Sequence, residues 1–250
     1  MNKLLELKNV SLAYHTKTDE IVAVKSLSFN CHEGEFVSII GPSGCGKTTI
    51  LSMIAGLILP TGGKIIVDGQ NANESNDIGY MLQKDHLFPW RTIEKNLYLP
   101  LEIKGKNDKE SRDYALVLLE KYGLANFKSN FPDQLSGGMR QRVALIRTLV
   151  SKPKLLLLDE PFSALDYQTR LSVCDDVYSI IKTEQKTTVL VTHDISEAIS
   201  MSDKIIVLTD RPAQVKTIFK PMLDGNTPLR KRESKDFGFW FEKIWSELNK

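Results

Sequence analysis

Residues 41 to 49 read Gly41, Pro42, Ser43, Gly44, Cys45, Gly46, Lys47, Thr48 and Thr49, and the first eight fit the pattern G-x-x-x-x-G-K-[ST]. A loop that brings backbone N–H groups within hydrogen-bond reach of phosphate oxygens cannot put side chains in the way, so glycine stands at 41, 44 and 46. A helix that follows points its positive N-terminus at the anion. Lys47 adds a full charge on the β- and γ-phosphates, and Thr48 offers a hydroxyl to Mg²⁺. These nine residues are the candidate nucleotide-phosphate loop, to which Tyr14 is added below. Farther on, Leu155, Leu156, Leu157 and Leu158 end in Asp159 and Glu160. A strand apolar on both faces belongs in the middle of a parallel sheet. At its end Asp159 can hold Mg²⁺ through water, and Glu160 can polarise an attacking water. Ser136, Gly137 and Gly138 open a predicted helix running through Arg140, Arg142 and Leu145 to Val150, a second ready-made anion site.

Several elements must hold these residues in place. The apolar run from Phe36 to Ile40 stops at Gly41, as a buried strand feeding a glycine loop does. Residues 48–57 read as the helix after the loop, with Gly56 near its end. The rest of residues 3 to 40 reads as short strands, one through Leu5, Leu7 and Val10 and another over 22–29. Residues 64–69 form a strand closing on an Asp68-Gly69 turn, and residues 80–83 end another strand at Gln83. From about Lys84 to Val150 no strand is expected. Asn107 or Asp108 caps a helix there, with Tyr114, Val117, Leu118 and Tyr122 at helical spacing and Gly123 as its stop. Strands return at 155–158, 188–191 and 205–208 with helices between them, which is α/β alternation around a mostly parallel sheet. In the tail, Phe237, Phe241, Ile244, Trp245 and Leu248 share one helical face that either packs on the chain's own core or meets a partner.

Composition narrows the class. The net charge of +2 gives no global pull toward nucleic acid. Arg230, Lys231 and Arg232 form a short basic run, read as a solvated surface with a lipid-headgroup contact as the alternative. Cys31, Cys45 and Cys174 are widely spaced without a C-x-x-C pair, which fits free thiols in a reducing cytosol. Cys45, inside the loop, is expected to be partly exposed. The first residues carry no apolar signal core, and no window approaches the roughly 18 apolar residues that span a bilayer. A cytoplasmic protein whose membrane role comes through partners is expected.

Taken with Gln83, the segment Ser163-Ala164-Leu165-Asp166 and His193, these motifs in this order resemble the ATPase subunit of an ATP-binding-cassette (ABC) transporter over roughly residues 3 to 220. The resemblance implies an α/β P-loop NTPase (RecA-like) core with an N-terminal antiparallel β subdomain and an inserted α-helical subdomain. It implies an ATPase domain over 3–225, with the helical insert at about 84–150, and a C-terminal helical tail over 226–250. The signature Leu135, Ser136, Gly137, Gly138 and Met139 would contact the γ-phosphate held by a second copy. Met139 stands where Gln is usual, and no role of that amide is carried over. His193 would contact the γ-phosphate and link it to Glu160, and Gln83 would sense Mg²⁺ and water as a hinge. Tyr14 matches the aromatic that stacks on adenine. Ser163, Ala164, Leu165 and Asp166 would form the loop that crosses to the neighbouring subunit. The implied catalytic set is therefore Glu160, His193, Lys47 and Gln83, with Thr48, Gln83 and Asp159 toward the metal.

The stretch His86-Leu87-Phe88-Pro89-Trp90-Arg91-Thr92, with Arg211-Pro212-Ala213, is similar to the nitrate/sulfonate/taurine group of importers and to the thiamine-precursor importers near it. Phe88 and Trp90 could instead be core packing. The expected partners are a second ATPase copy head to tail, two separate permease subunits, and indirectly an external solute-binding protein, with no nucleic acid. The expected place is the cytoplasmic face of the cell membrane. An exporter or lipid-transport subunit is the main alternative. A soluble ABC ATPase would carry a long coiled-coil insertion or two cassettes, and a small-molecule kinase would need neither Leu135–Met139 nor His193.

Overall fold

The computed structural model describes residues 2–15, 19–75 and 77–249. Two long strands, β1 (Lys3–His15) and β2 (Glu20–His32), pair antiparallel. With β4 (Gly62–Val67) and the short β5 (Gln70–Asn71) they make a four-stranded sheet in the order β2-β1-β4-β5. Asp68 and Gly69, both at positive φ (49° and 77°), turn β4 into β5 as a two-residue hairpin demands. β1 and β2 are 13 residues each rather than the short strands expected. Their solvent-facing polar residues and register shifts break up the apolar signal.

The second sheet has six strands in the order β10-β9-β3-β8-β7-β6. They are β3 (Phe36–Ile40), β6 (Ile78–Met81), β7 (Leu155–Asp159), β8 (Thr187–Val191), β9 (Lys204–Leu208) and β10 (Val215–Phe219). All neighbours are parallel except β10, which runs antiparallel to β9. Helices α1 (Lys47–Ile54), α4 (Gly137–Val150), α5 (Tyr167–Thr183) and α6 (Ile195–Met201) fill both faces. The four leucines of β7 show why the strand is apolar throughout. Leu155 and Leu157 join the core that holds α1 and the first sheet, and Leu156 and Leu158 join the one that holds α4 and α5. Each is fully buried, and burying one such side chain contributes about 1.5–3 kcal/mol.

The stretch after β6 is helical, as expected. It contains α2 (Ile93–Ile103) and α3 (Lys109–Lys121) ahead of α4. Asp108 is the cap of α3, accepting from Ser111 N at 2.8 Å, while Asn107 accepts from Arg112. Ala115, Leu118 and Leu119 pack inward, and Val117 is exposed. Helix α2 is not foreseen by the sequence reading, and Pro100 lies within it. Asn96, fully buried on α2, clamps the preceding turn: it accepts from Phe88 N at 2.7 Å and donates to the carbonyls of Phe88, Arg91 and Thr92.

The tail forms α7 (Pro228–Arg232) and α8 (Phe237–Leu248). The basic run is not a wholly solvated surface. Lys231 donates to the Tyr178 hydroxyl at 3.2 Å, and burial holds its ammonium pKa below the usual range. Arg232 has its Nε and one terminal nitrogen buried. On α8, Ile244 is fully buried against α6 and β9, with Phe237, Phe241 and Leu248 packed around it. Trp245, expected on the same face, stacks on Phe241 but stays half exposed.

Candidate functional site

Parallel strands deliver their C-terminal ends to one edge, and ligands of open α/β sheets bind there. At that edge β3 runs into residues 41–46, β7 ends in Asp159, β8 is followed by His193, and β6 is followed by Gln83. The loop turns through Gly44 (φ 75°) and Gly46 (φ 118°), the second a conformation that a residue with a Cβ rarely adopts. Gly46 also opens α1 without a side-chain cap, which leaves the first-turn N–H groups for an anion. The Lys47 ammonium, largely buried, bridges the loop by donating to the carbonyls of Gly41 and Pro42, each at 2.8 Å.

Asp159 is held at both oxygens. The Thr48 hydroxyl donates to Oδ1 and the Tyr80 phenol to Oδ2, each at 3.2 Å. Burial pushes this carboxyl above the usual range, against the pull of those two hydrogen bonds. Burial, then the Asp159 charge, pushes the Tyr80 phenol up to about 12. Glu160 collects the other two arms. Gln83 Nε2 donates to its Oε2 at 3.2 Å, and His193 Nδ1 lies 3.2 Å from the same oxygen. The Glu160 backbone is unusual, with φ at 44° and its N–H donating to Val191 O at 2.8 Å.

The loop 163–166 starts directly on this carboxylate residue, since Ser163 Oγ donates to Glu160 O at 3.0 Å. Leu165 is buried, and Asp166 caps α5 by accepting from Thr169 N at 3.0 Å. The signature residues have their contacts elsewhere. Ser136 caps α4 by accepting from Met139 N at 3.3 Å, Met139 packs on the insert's core, and Arg140 donates to Leu135 O. Gly138 is required by close approach, because a Cβ there would come 2.7 Å from Val173 Cγ2 on α5. Tyr14 pairs with Ile21 at the end of β1 and is exposed. Cys45 corrects an expectation: it is buried, and burial raises its thiol pKa.

Sequence reasoning missed four partners. Tyr80 on Asp159 is one. Arg147 donates to the carbonyls of Asp85 and His86 at 2.7 Å, and Arg140 pairs with Asp85, so the segment after Gln83 is strapped to α4. Arg170 donates to Leu165 O. A lysine or arginine on a helix reads as a solvated charge until its neighbour is known.

The donor set fits a hard cation shared with phosphate. Thr48 and Asp159 offer oxygens 3.2 Å apart, while no cluster of three or more His, Cys, Asp or Glu able to hold a metal occurs among the described residues. An oxygen pair of this kind would suit a hard cation such as Mg²⁺, which takes one or two protein ligands and completes its shell with phosphate and water. A cavity of about 550 Å³, lined by Leu4, Gly34, Lys154, Lys186 and Thr187, opens at the opposite edge of the sheet, away from these residues.

The family described as "ABC transporter" matches residues 24–163. The chain is 47% identical over 248 residues to the ABC transporter ATP-binding protein YtlC of Bacillus subtilis, covering 98% of this chain and 95% of that one. It is 42% identical to the formylaminopyrimidine import ATP-binding protein ThiZ of Halalkalibacterium halodurans (85% and 82% covered). It is 38% identical to the nitrate import ATP-binding protein NrtD of a Synechocystis strain (92% and 87% covered). Among solved structures, a bacterial ABC transporter cassette in dimeric form superposes with a TM-score of 0.74 at 37% identity, covering 87% of this chain and 99% of that one. The same cassette in a dimeric post-hydrolysis state with ADP and phosphate superposes at 0.70 and 33% identity, with the same coverage. With its loop, strand-end acids and glutamine and histidine arms in one place, the chain belongs to the ABC transporter family as a cassette that binds and hydrolyses ATP.

Proposed function

We propose that this cassette is the ATP-hydrolysing subunit of an importer and energises uptake of a small solute of the nitrate, sulfonate or thiamine-precursor type through separate permease subunits. The observation that carries the catalytic assignment is the single oxygen of Glu160 reached by both Gln83 and His193. Glu160 orients or deprotonates water, His193 completes the site beside it, and Lys47 takes the charge that grows on the phosphates. Thr48 and Asp159, with Gln83, would hold Mg²⁺, which when bound neutralises phosphate charge. Hydrolysis needs positioning and charge stabilisation more than covalent chemistry. Tyr14 stacks on adenine.

Two copies face each other head to tail, so that Ser136, Gly137 and Gly138 of one close on the loop 41–48 of the other. The dimeric solved relative supports this arrangement. Closure excludes water and strengthens every contact to the γ-phosphate. No helix among the described residues is long and apolar enough to cross a membrane, so the permease is supplied by other chains and the cassette acts from the cytoplasmic face. The import names of relatives favour an importer over an exporter, and the helical insert, which is not a long coiled coil, disfavours a soluble ABC ATPase.

The test is reconstitution. The cassette is co-expressed with the permease frames beside its gene and placed in liposomes with the matching solute-binding protein. Hydrolysis stimulated by loaded binding protein, with solute accumulation, is expected. Outward transport, or a cassette that pairs with no permease, would overturn the reading.

A further inference from the structure

The carboxylate of Glu160 and the ring of His193 belong to a closed circuit of contacts. Ser163 Oγ donates to Glu160 O at 3.0 Å. Two residues on, Leu165 O accepts from Arg170 at 2.9 Å. The other arm of the same guanidinium lies 3.6 Å from Oδ2 of Asp194. Asp194 follows His193 in the chain, and His193 Nδ1 returns to Glu160 at 3.2 Å. Arg170 is the link that joins the loop 163–166 to the histidine segment.

That segment is stiff where Arg170 meets it. Asp194 Oδ1 accepts from the N–H groups of Ser196 and Glu197 at 2.7 and 3.1 Å. Its own N–H donates to Thr192 Oγ1 at 3.0 Å, and that hydroxyl donates to buried Glu197 at 2.6 Å. The His193 side chain, by contrast, is 59% exposed. With the backbone fixed by this cap, a displacement of Asp194 shifts the adjacent Cα that carries the ring and so the Nδ1 contact with Glu160. The planar guanidinium fork suits two acceptors at once. The pair is largely buried, with side chains 24% and 28% exposed, yet its 3.6 Å separation is too long for a hydrogen bond, so its use is the placement of the two segments it joins.

We infer that Arg170 is a positioning residue for hydrolysis: it carries the placement of the loop 163–166, which meets the second copy, through Asp194 to the His193–Glu160 pair. This rests on the proposed roles of His193 and Glu160. Closing the dimer then sets the hydrolytic pair in the same chain, and small misplacement of reacting groups is costly in rate.

The experiment compares Arg170→Gln, Arg170→Lys, Asp194→Asn, the double variant Arg170→Gln/Asp194→Asn, and His193→Ala in the full chain. Asp194→Asn keeps the cap acceptor and removes the charge. Each is measured for kcat and KM with MgATP and for thermal melting. The expected result is a kcat about 5- to 20-fold lower for Arg170→Gln and for Asp194→Asn. KM should stay within twofold and the melt should be unchanged, the signature of lost transition-state positioning. The double variant should be no slower than the worse single, since both break one link. Arg170→Lys should recover part of the rate. If His193→Ala is inactive while Arg170→Gln and Asp194→Asn keep full kcat, or if the double loss is the product of the singles, the inference is overturned. If His193→Ala turns over normally, the reading of the site itself fails.

Discussion

Tyr80 and Asp159, 79 positions apart in sequence, are joined by a phenol–carboxylate hydrogen bond of 3.2 Å. Thr48 holds the other oxygen of that carboxylate. Were the Thr48 hydroxyl to be taken up by a bound metal, Tyr80 would be the remaining side-chain contact that orients Asp159. Tyr80→Phe removes only the hydroxyl. We expect a stability loss of about 1–2 kcal/mol, the cost of leaving a buried acceptor short of a partner. We also expect a several-fold higher Mg²⁺ concentration for half-maximal phosphate release. A Mg²⁺ titration identical to that of the parent would reduce Tyr80 to packing.

Glu160→Gln keeps the shape and the neighbours of the carboxylate and removes its charge. ATP binding should persist, and turnover should fall roughly 10²-fold or more, in the range for deleting one strong transition-state group. The variant should run as a dimer with ATP on gel filtration, because the closed state no longer empties. Near-normal phosphate release would remove Glu160 from the water-activating role.

Glu197 links charge to stability. Burial is the main cause of its shift from 4.5 to about 7; the Thr192 hydroxyl, Arg170 and Arg232 pull it down and Asp194 pushes it up. Between those two values the unfolded chain releases this proton while the folded chain keeps it. The folded state therefore loses stability as pH rises through that window, by about 3 kcal/mol in all, and above it the loss is complete. Glu197→Gln is neutral throughout and still accepts from Thr192. Denaturant curves at pH 5 and pH 8 should show the variant gaining on the parent at the higher pH. Parallel pH dependence in the two proteins would mean that Glu197 is ionised in the fold.

Trp90 is 72% exposed and stacks on Phe88 with centroids 4.9 Å apart. Core truncation of a tryptophan costs about 3–5 kcal/mol, whereas exposed positions change stability by about 0.5 kcal/mol or less. Trp90→Ala should leave the melt of the isolated cassette nearly unchanged and weaken permease co-purification, as loss of an aromatic anchor does. A large drop in melting temperature with intact co-purification would make it a core residue.

All three cysteines are free and buried, and burial is the main cause of the raised pKa of each thiol. Maleimide should fail to label the folded protein with or without MgATP, and denaturant should expose all three. Cys45→Ser should likewise resist labelling when folded and expose two thiols in denaturant. Rapid labelling at Cys45 in the folded state would show that residues 41–46 open on their own.

The parts read directly from sequence are those in which local composition decides structure. Phe36–Ile40 and Leu155–Leu158 are apolar because both faces are covered, and the loop after the first of them needs its glycines. Asp108 and Ser136 cap helices wherever those helices lie. What escaped depends on neighbours distant in the chain. Tyr80 looks like any strand aromatic until Asp159 arrives from β7. Lys231 and Arg232 look solvated until α5 and α6 close over them. Helix α2 carries Pro100 and a buried Asn96, both poor local signals, and its burial against α4 overrides them. The long strands β1 and β2 alternate with polar residues, so only their apolar centres stood out.

Glu160 sits at φ 44°, a left-handed backbone that costs a residue with a Cβ about 1–2 kcal/mol. The folded chain carries that penalty. Glycine or asparagine would relieve it and abolish the carboxylate in the same stroke. A search for heat-tolerant variants that screened only for survival of the fold would therefore drift toward those residues at position 160. It would collect robust cassettes that hold ATP and do not spend it.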